Sequence, residues 1–326
     1  MIPRTLFVTG GAGYVGSHCC KAFAAAGWTV VVYDNLSRGW REFVKWGRLI
    51  EGDVTDAAGL ERAMLEVRPD AVAHFAALAY VGESIEHPGD YYRVNALGML
   101  NLLEAMRAAG TGRILFSSSC ATYGVPTRLP IDETHPQSPI NPYGWSKLIS
   151  EKMLADYGVA HGIRSVALRY FNAAGDDPDL EVGEKHEPET HMIPLAIRAA
   201  QAGGGTFNIN GDDFETEDGT CVRDYIHVLD LADAHVRGLD YLMNGGASDV
   251  FNLGTGSGMS VSQVLDAVER FSNAKIRRQI GPRRPGDPAA LVASAEKARR
   301  VLGWSPRHSS VDEIIGSAWR WHQKAG

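Results

Sequence analysis

Thr5-Leu-Phe-Val-Thr9 runs into Gly10-Gly-Ala-Gly13-Tyr-Val-Gly16, then into helical Ser17–Ala26, then into Trp28–Tyr33, which closes on Asp34-Asn35. An apolar run, a glycine turn, a helix, a second apolar run and a carboxylate at its end are the parts of a dinucleotide-binding unit in their usual order. Glycines let the backbone approach a pyrophosphate, whose charge sits at the helix N-terminus. Asp34 is placed to hydrogen-bond adenosine ribose hydroxyls and to repel a 2′-phosphate, which favours NAD over NADP; Arg38 lies close enough to soften that preference. The glycines fall at i, i+3 and i+6 rather than in the G-x-G-x-x-G spacing. The reading therefore rests on the strand, helix and acid around them. A tight turn with no ligand is the plainer alternative, and the complete context outweighs it.

The alternation continues outward. Arg48–Glu51 reads as a strand leading to Asp53-Val54, Ala57–Val67 as an amphipathic helix, and Ala71–Phe75 as a strand ending in Ala76-Ala77. Tyr91–Ala109 reads as one long helix, Arg113–Ser117 as a buried strand, Pro142–His161 as a helix and Arg164–Tyr170 as a strand. Strands and helices alternating at these lengths make a parallel sheet covered on both faces. Ligands of such sheets bind beyond the carboxyl ends of the strands. Gly10, Asp34, Asp53, Ala76, Ser117–Ser119 and Tyr170-Phe-Asn172 all fall there. Residues 173–191 form an irregular excursion, and helices and strands mix less regularly to the end of the chain. The expected fold is α/β: a Rossmann-like doubly wound parallel sheet, with a smaller α+β substrate-binding lobe at the C-terminal ends of the strands. Residues 1–174, with parts of 224–254, are assigned to cofactor binding and 175–326 mainly to the lobe.

Composition narrows the partners. The 326 residues suit two domains, or one with a large appendage. A hydrophobic content of 44% with 22% charged residues is that of an ordinary soluble globular protein. A net charge of −7 leaves no basic footprint for nucleic acid. The four cysteines, Cys19, Cys20, Cys120 and Cys221, show no disulfide or zinc spacing, so a reduced, cytoplasmic setting is expected. No apolar run approaches the ~20 residues of a membrane span. The apolar run within Met1–Thr9 is too short for a secretory signal.

Chemistry enters with Tyr143-Gly-Trp-Ser-Lys147. A tyrosine four residues before a lysine puts both side chains on one helix face. An ammonium held close favours the phenolate and lowers a tyrosine pKa that is near 10 when free. The pair is a candidate general acid/base for a hydroxyl proton. Alone the motif is weak: Tyr143 could simply open a helix after Asn141-Pro142, with Lys147 solvated.

These stretches occur together with His74-Phe-Ala-Ala77, Val81-Gly-Glu-Ser84, Phe116-Ser-Ser-Ser119, Arg169-Tyr-Phe-Asn172, Thr216-Glu-Asp-Gly-Thr220, Arg223-Asp-Tyr-Ile-His227 and Pro282-Arg-Arg-Pro-Gly-Asp287. Nearly end to end, the chain resembles the extended short-chain dehydrogenase/reductase family, in its nucleotide-sugar epimerase branch. The resemblance implies that Gly10, Gly13 and Gly16 cradle the pyrophosphate of NAD and that Asp34 and Asn35 hold the adenosine ribose. Asp53 and Val54 would lie beside adenine, and Phe75, Ala76 and Ala77 along the cofactor path. Tyr14, Val15, Asn95 and Tyr170 complete the implied cofactor set. Tyr143 would be the acid/base, Lys147 would bind the nicotinamide ribose, and Ser119 would bond the sugar O4. For Ser117 and Ser118 the resemblance adds nothing to their reading as polar residues ending a buried strand.

On the substrate side the resemblance implies contacts from Phe171, Asn172 and His191. It places Asn208, Ile209 and Asn210 beside uracil, Arg223 and Arg284 on the diphosphate, Asp287 on the uridine ribose and Leu291 in the sugar pocket. Arginine suits the diphosphate because its planar fork pairs with phosphate oxygens in bidentate fashion. Ala79 departs from a common lysine, which leaves one ribose contact absent or supplied by Tyr80. Leu291 stands where better-known members carry tyrosine or cysteine. Metal is not expected: His186, Glu187 and His191 sit in an irregular acidic loop without helical ligand spacing.

The implied activity is interconversion of UDP-glucose and UDP-galactose through a 4-keto sugar, by a homodimer joined through helices 91–109 and 142–160. Other UDP-sugars (N-acetylhexosamine, glucuronate or pentose) are the alternative substrates. A non-catalytic dinucleotide sensor is the alternative class, but it has no use for Ser119, Tyr143 and Lys147 together. A 4,6-dehydratase needs extra carboxylates where this chain has Ser119-Cys-Ala-Thr-Tyr123.

Overall fold

Strands β1 (Thr5–Thr9) and β2 (Thr29–Asp34) pair in parallel, Thr5 opposite Thr29, and α1 (Tyr14–Ala25) crosses between them. The sequence alternates faces within each strand. Leu6, Val8, Val30 and Val32 pack with Cys19, Cys20 and Phe23 of α1, while Phe7, Val31 and Tyr33 face the other side. The computed structural model describes residues 4–284 and 287–325; Pro285 and Gly286 of the arginine-rich stretch, and residues 1–3, lie outside them.

Along the chain follow β3 (Gly47–Glu51), α2 (Ala57–Val67), β4 (Ala71–His74), α3 (Val81–Glu86), α4 (Pro88–Tyr91), a π-helical turn at Tyr92–Leu97, α5 (Gly98–Ala109), β5 (Arg113–Ser119), α6 (Pro142–His161), β6 (Arg164–Tyr170) and β7 (Asn172–Ala174). Beyond the excursion come α7 (Met192–Gln201), β8 (Thr206–Asn210), β9 (Val222–Arg223), β10 (Tyr225–His227), α8 (Val228–Met243) and β11 (Asp249–Leu253). The last elements are β12 (Met259–Ser260), α9 (Val261–Ser272), β13 (Arg277–Gly281), β14 (Ala290–Leu291), α10 (Glu296–Leu302) and α11 (Val311–Ala325).

The main sheet has seven parallel strands in the order β11-β6-β5-β4-β1-β2-β3. The order reverses between β1 and β4, and this is where a doubly wound sheet opens a crevice for ligand. One face is filled by α1 and α8, through Leu231, Ala234, Leu239 and Leu242. The other is filled by α2 and α5, through Leu60, Met64, Met99, Leu102 and Met106. A third apolar cluster joins α7, α9 and α11 with Ile209 and Tyr225. Small sheets accompany it: β10-β7, β12-β9-β14 and β13-β8. Among the described residues no helix is long and apolar enough to cross a membrane.

Three expectations change. The helix expected over 91–109 is interrupted by the π turn, preceded by α3 and α4. Strand β5 does not stop at Ser117 but carries Ser118 and Ser119, pairing Ser119 with Tyr170. The short strands β7, β9, β10, β12 and β14, each two or three residues long, were not read from sequence because so short a run shows no period.

Candidate active site

The glycine turn sits at the switch point. Gly10 has a φ of +75°, and a Cβ there would collide with the Ala76 backbone; one on Gly16 would collide with Gly10. Gly13 caps α1 with no side-chain bond, and the first turn holds no acidic residue. Unpaired N–H groups on an open backbone cradle are what a pyrophosphate needs. Asp34 closes the far side. Its Oδ2 accepts from Ala12 N at 3.0 Å and its Oδ1 from Leu36 N at 2.8 Å, which leaves lone pairs for ribose hydroxyls. Burial raises the Asp34 pKa and those two N–H groups pull it back. Arg38 is taken: it pairs with Glu83 at 2.5 Å and stacks on Tyr80, so it is not free to offset the preference for NAD. The residues present fit NAD.

Asn35 donates to Asp53 Oδ2 at 2.8 Å, joining the ends of β2 and β3, and Val54 is buried against Gly98. Phe75 packs on His235, and Ala76 and Ala77 follow it past the end of β4. Tyr14 and Val15 open α1, and the Tyr14 hydroxyl donates to Gly175 O, tying this helix to the excursion. Asn95 is buried in the π turn. Its amide donates to Leu78 O at 3.0 Å and Ser146 Oγ at 2.9 Å, and its oxygen accepts from Leu78 N at 2.8 Å. It thus holds the 78 loop against the helix that carries Tyr143. Tyr170 is hydrogen-bonded to Ser117 Oγ at 2.7 Å.

Helix α6 starts where the sequence places it. Asn141 accepts from Gly144 N at 2.8 Å as N-cap, and Pro142 sits in the first turn. Tyr143 and Lys147 then lie one turn apart beside Ser119 at the end of β5. Lys147 is buried, donates to Ser117 O at 2.9 Å, and lies 5.0 Å from the Phe116 ring centre and 5.9 Å from that of Tyr143. The expected depression of the Tyr143 pKa is not found. Burial raises Tyr143 to about 12, against the opposing bond to Ser119. Burial also lowers Lys147 to about 7, opposed by Glu151. The physical reason is desolvation, which disfavours both charged forms. Ser119 Oγ accepts from Ala121 N at 3.1 Å. Ser118 donates to Glu151 and Ser117 to or from Tyr170, in keeping with their reading as strand-end residues.

The lobe brings the remaining candidates together in pairs. Arg223 Nη2 reaches Asp287 Oδ1 at 2.6 Å. Leu291 pairs across β14–β9 with Arg223 and, like Cys120, the residue after Ser119, packs against the cluster of Tyr123, Ile131, Phe171 and Ala293. Asn172 opens β7, opposite Tyr225. Asn210, with its amide oriented to put oxygen toward Arg284, accepts from Nε and Nη2 at 3.2 Å. Asn208 and Asn210 share one face of β8, while Ile209 turns into the third core at 3% exposure, so only its backbone can face a base. Arg283 pairs with Asp213 and stacks on Phe214, as a surface neighbour would. His191 caps α7 and lies 2.8 Å from Glu184. Burial works to lower its pKa, but Glu184 and Glu189 overcome this and raise it to about 10. Sequence reasoning missed Glu184 and Glu189 here. Glu187, named beside His186 and His191 in the metal reading, is not in the group they form.

A glycine cradle at the switch point, with a Tyr/Lys helix and a strand-end serine, defines a nucleotide-dependent short-chain oxidoreductase centre. The chain belongs to the NAD dependent epimerase/dehydratase family, whose model matches residues 6–254. It is 53% identical to the UDP-glucose 4-epimerase of Rhizobium meliloti (strain 1021) over 324 residues, covering 99% of this chain and 98% of that one. The crystal structure of UDP-glucose 4-epimerase from Brucella ovis in complex with NAD superposes with a TM-score of 0.95 at 51% identity, over 97% of this chain and 98% of that chain. The Bifidobacterium longum UDP-glucose 4-epimerase in complex with NAD+ and UDP gives 0.93 at 38% identity, over 98% of each chain.

Proposed function

We infer that this chain is an NAD-dependent UDP-glucose 4-epimerase, interconverting UDP-glucose and UDP-galactose by oxidation to a 4-keto sugar, rotation and re-reduction at C4. The observation that carries it is the placement of Tyr143 and Lys147 beside Ser119, at the carboxyl ends of a sheet whose switch point carries the glycine cradle. Tyr143 takes the proton of the 4-hydroxyl and later returns it; Ser119 positions that oxygen. Lys147 and Asp34 hold the two riboses of the cofactor. NAD+, when bound, supplies the hydride acceptor and donor. Arg223 and Arg284 grip the diphosphate, Asp287 the uridine ribose, and Asn208 and Asn210 flank the base, so the hexose alone is free to turn over. Purified protein should epimerise UDP-glucose with no added cofactor, and denaturation should release NAD. Release of NADP, or a strict need for added NAD with net NADH build-up, would contradict this reading.

We assign 1–174, with parts of 224–254, to cofactor binding and 175–326 mainly to the substrate; β11 and α8, packed on the main sheet, support the exception. A homodimer through the helices at 91–109 and 142–160 is supported by exposed Leu97, Leu100, Trp145 and Val159 along them. A monomeric mass by light scattering at micromolar concentration would count against it. A reduced, cytoplasmic setting is supported by cysteines that are all unpaired.

Leu291 sets the sugar range. Packed against the Tyr123–Phe171 cluster, it is smaller than tyrosine, larger than cysteine and unable to bond an acetamido group. An unpaired buried amide costs about 1–3 kcal/mol, and about 1.4 kcal/mol is tenfold in rate. The N-acetylated pair should therefore be at least about tenfold poorer in kcat/KM than UDP-glucose and UDP-galactose. Leu291→Ser should narrow the gap and Leu291→Tyr widen it. A ratio that neither substitution moves would remove Leu291 from the pocket wall.

A further inference from the structure

Within the 173–191 excursion, beside Tyr14 and Tyr80, two glutamates and two histidines converge on one point. Glu184 Oε1 lies 2.8 Å from His191 Nδ1 and 3.4 Å from His186 Nδ1. Glu189 lies 3.3 Å from His191 Nδ1 through Oε1 and 3.7 Å from His186 Nδ1 through Oε2. All four donor groups fall within 4.8 Å of one another. Four nitrogen and oxygen ligands at about 2.0–2.1 Å from a tetrahedral zinc ion stand roughly 3.3–3.4 Å apart, and the observed separations bracket that edge.

A second observation points to an occupant. His186 Nδ1 and Glu189 Oε2 are buried and have no hydrogen-bond partner, and the Glu189 side chain is 0% exposed. Buried polar atoms without partners are rare in folded proteins, and these two face each other across the same small space. On ligation the imidazoles give up their protons, and two carboxylates with two neutral imidazoles then carry −2, which one divalent cation neutralises. The neighbouring carboxylates of Asp177, Asp179 and Glu181 make a useful contrast. They are also clustered, but the Lys21 ammonium fills their centre at 2.8, 2.7 and 2.8 Å.

We propose that Glu184, His186, Glu189 and His191 bind one divalent ion of the zinc class, closing a four-ligand structural site that staples the excursion beside Tyr14 and Tyr80. Mixed imidazole and carboxylate donors at tetrahedral spacing suit zinc better than magnesium or calcium, which take oxygen ligands in larger number. Ligation through Nδ1 fixes the His191 ring and leaves Nε2–H as a donor, a neutral one, on a side chain that is 45% exposed. The Tyr14–His186 and Tyr80–His191 ring contacts, at 6.0 Å each, carry the staple to α1 and to the loop after β4.

The test uses the whole protein, stripped with a chelator, dialysed, and then given Zn²⁺ or Co²⁺ alone. The expected result is one Zn²⁺ per chain by elemental analysis, a melting temperature raised by several degrees, and the strong visible bands of tetrahedral Co²⁺. The double variant His186→Ala/Glu189→Gln should lose the bands and bind Zn²⁺ at least about tenfold more weakly. Wild-type protein that takes up no Zn²⁺ at micromolar concentration overturns the proposal without recourse to any variant. Stoichiometric binding that the double variant, or His186→Ala alone, retains at full strength overturns it equally.

Discussion

Tyr143→Phe is expected to lower kcat for epimerisation by about 10²–10⁴-fold, the usual worth of a positioned general base. NAD content and UDP binding should stay at parent levels, because the ring still packs at the start of α6, where it meets Tyr91 edge-on at 6.4 Å between ring centres. Burial raises Tyr143 to about 12 and lowers Lys147 to about 7, because desolvation disfavours both charged forms. A positive charge beside the phenol, from Lys147 when protonated or from the nicotinamide ring of NAD+ when bound, would favour the phenolate. Lys147→Ala should slow hydride transfer and move the pH optimum upward. If Tyr143→Phe keeps the parent rate, another group is the base.

Arg169→Met is expected to cost about 3–5 kcal/mol of stability, as removal of one partner from a buried ion pair does. Arg169 donates through Nε to Glu151 Oε1 at 2.8 Å and through Nη1 to the Tyr123 hydroxyl at 2.8 Å, with a second bond to Glu151 through Nη2. Both members of the pair are buried, and Glu151 also accepts from Ser118. The substitution leaves a carboxylate without its counter-charge one turn beyond Lys147. A double variant, Arg169→Met/Glu151→Met, should recover much of the loss, since an apolar pair of similar volume removes the unpaired charge. Chemical denaturation of the three proteins checks this. A single variant within about 0.5 kcal/mol of the parent, the range of an ordinary surface change, would show that the pair does not hold β6 to α6.

The first strand-turn-helix-strand unit was legible because its burial on both faces leaves an unbroken apolar run, while the glycines mark where backbone must approach backbone. Helix α6 was legible to the residue at both ends, since Asn141, Pro142 and Gly162 are local stop and start signals. The π turn was not. What stabilises it is Asn95 reaching Leu78 and Ser146, contacts 17 and 51 residues away in sequence. The Arg38–Glu83 pair, which bears on cofactor choice, spans 45 residues and leaves no pattern in the chain. Alternation along β8 turns the Ile209 side chain into the core, so a contact of Ile209 with a base runs through its backbone. The Glu184–His191 group escaped because its donors converge through an irregular loop, where spacing predicts nothing about distance.

In the proposed cycle hydride leaves C4 and returns to the same carbon without meeting solvent. UDP-glucose deuterated at C4, incubated with the purified protein in ordinary water and no added cofactor, tests it most directly. The expected product is UDP-galactose that retains deuterium at C4, with no free NADH. Loss of the label to water, or NADH accumulating in step with product, would contradict it.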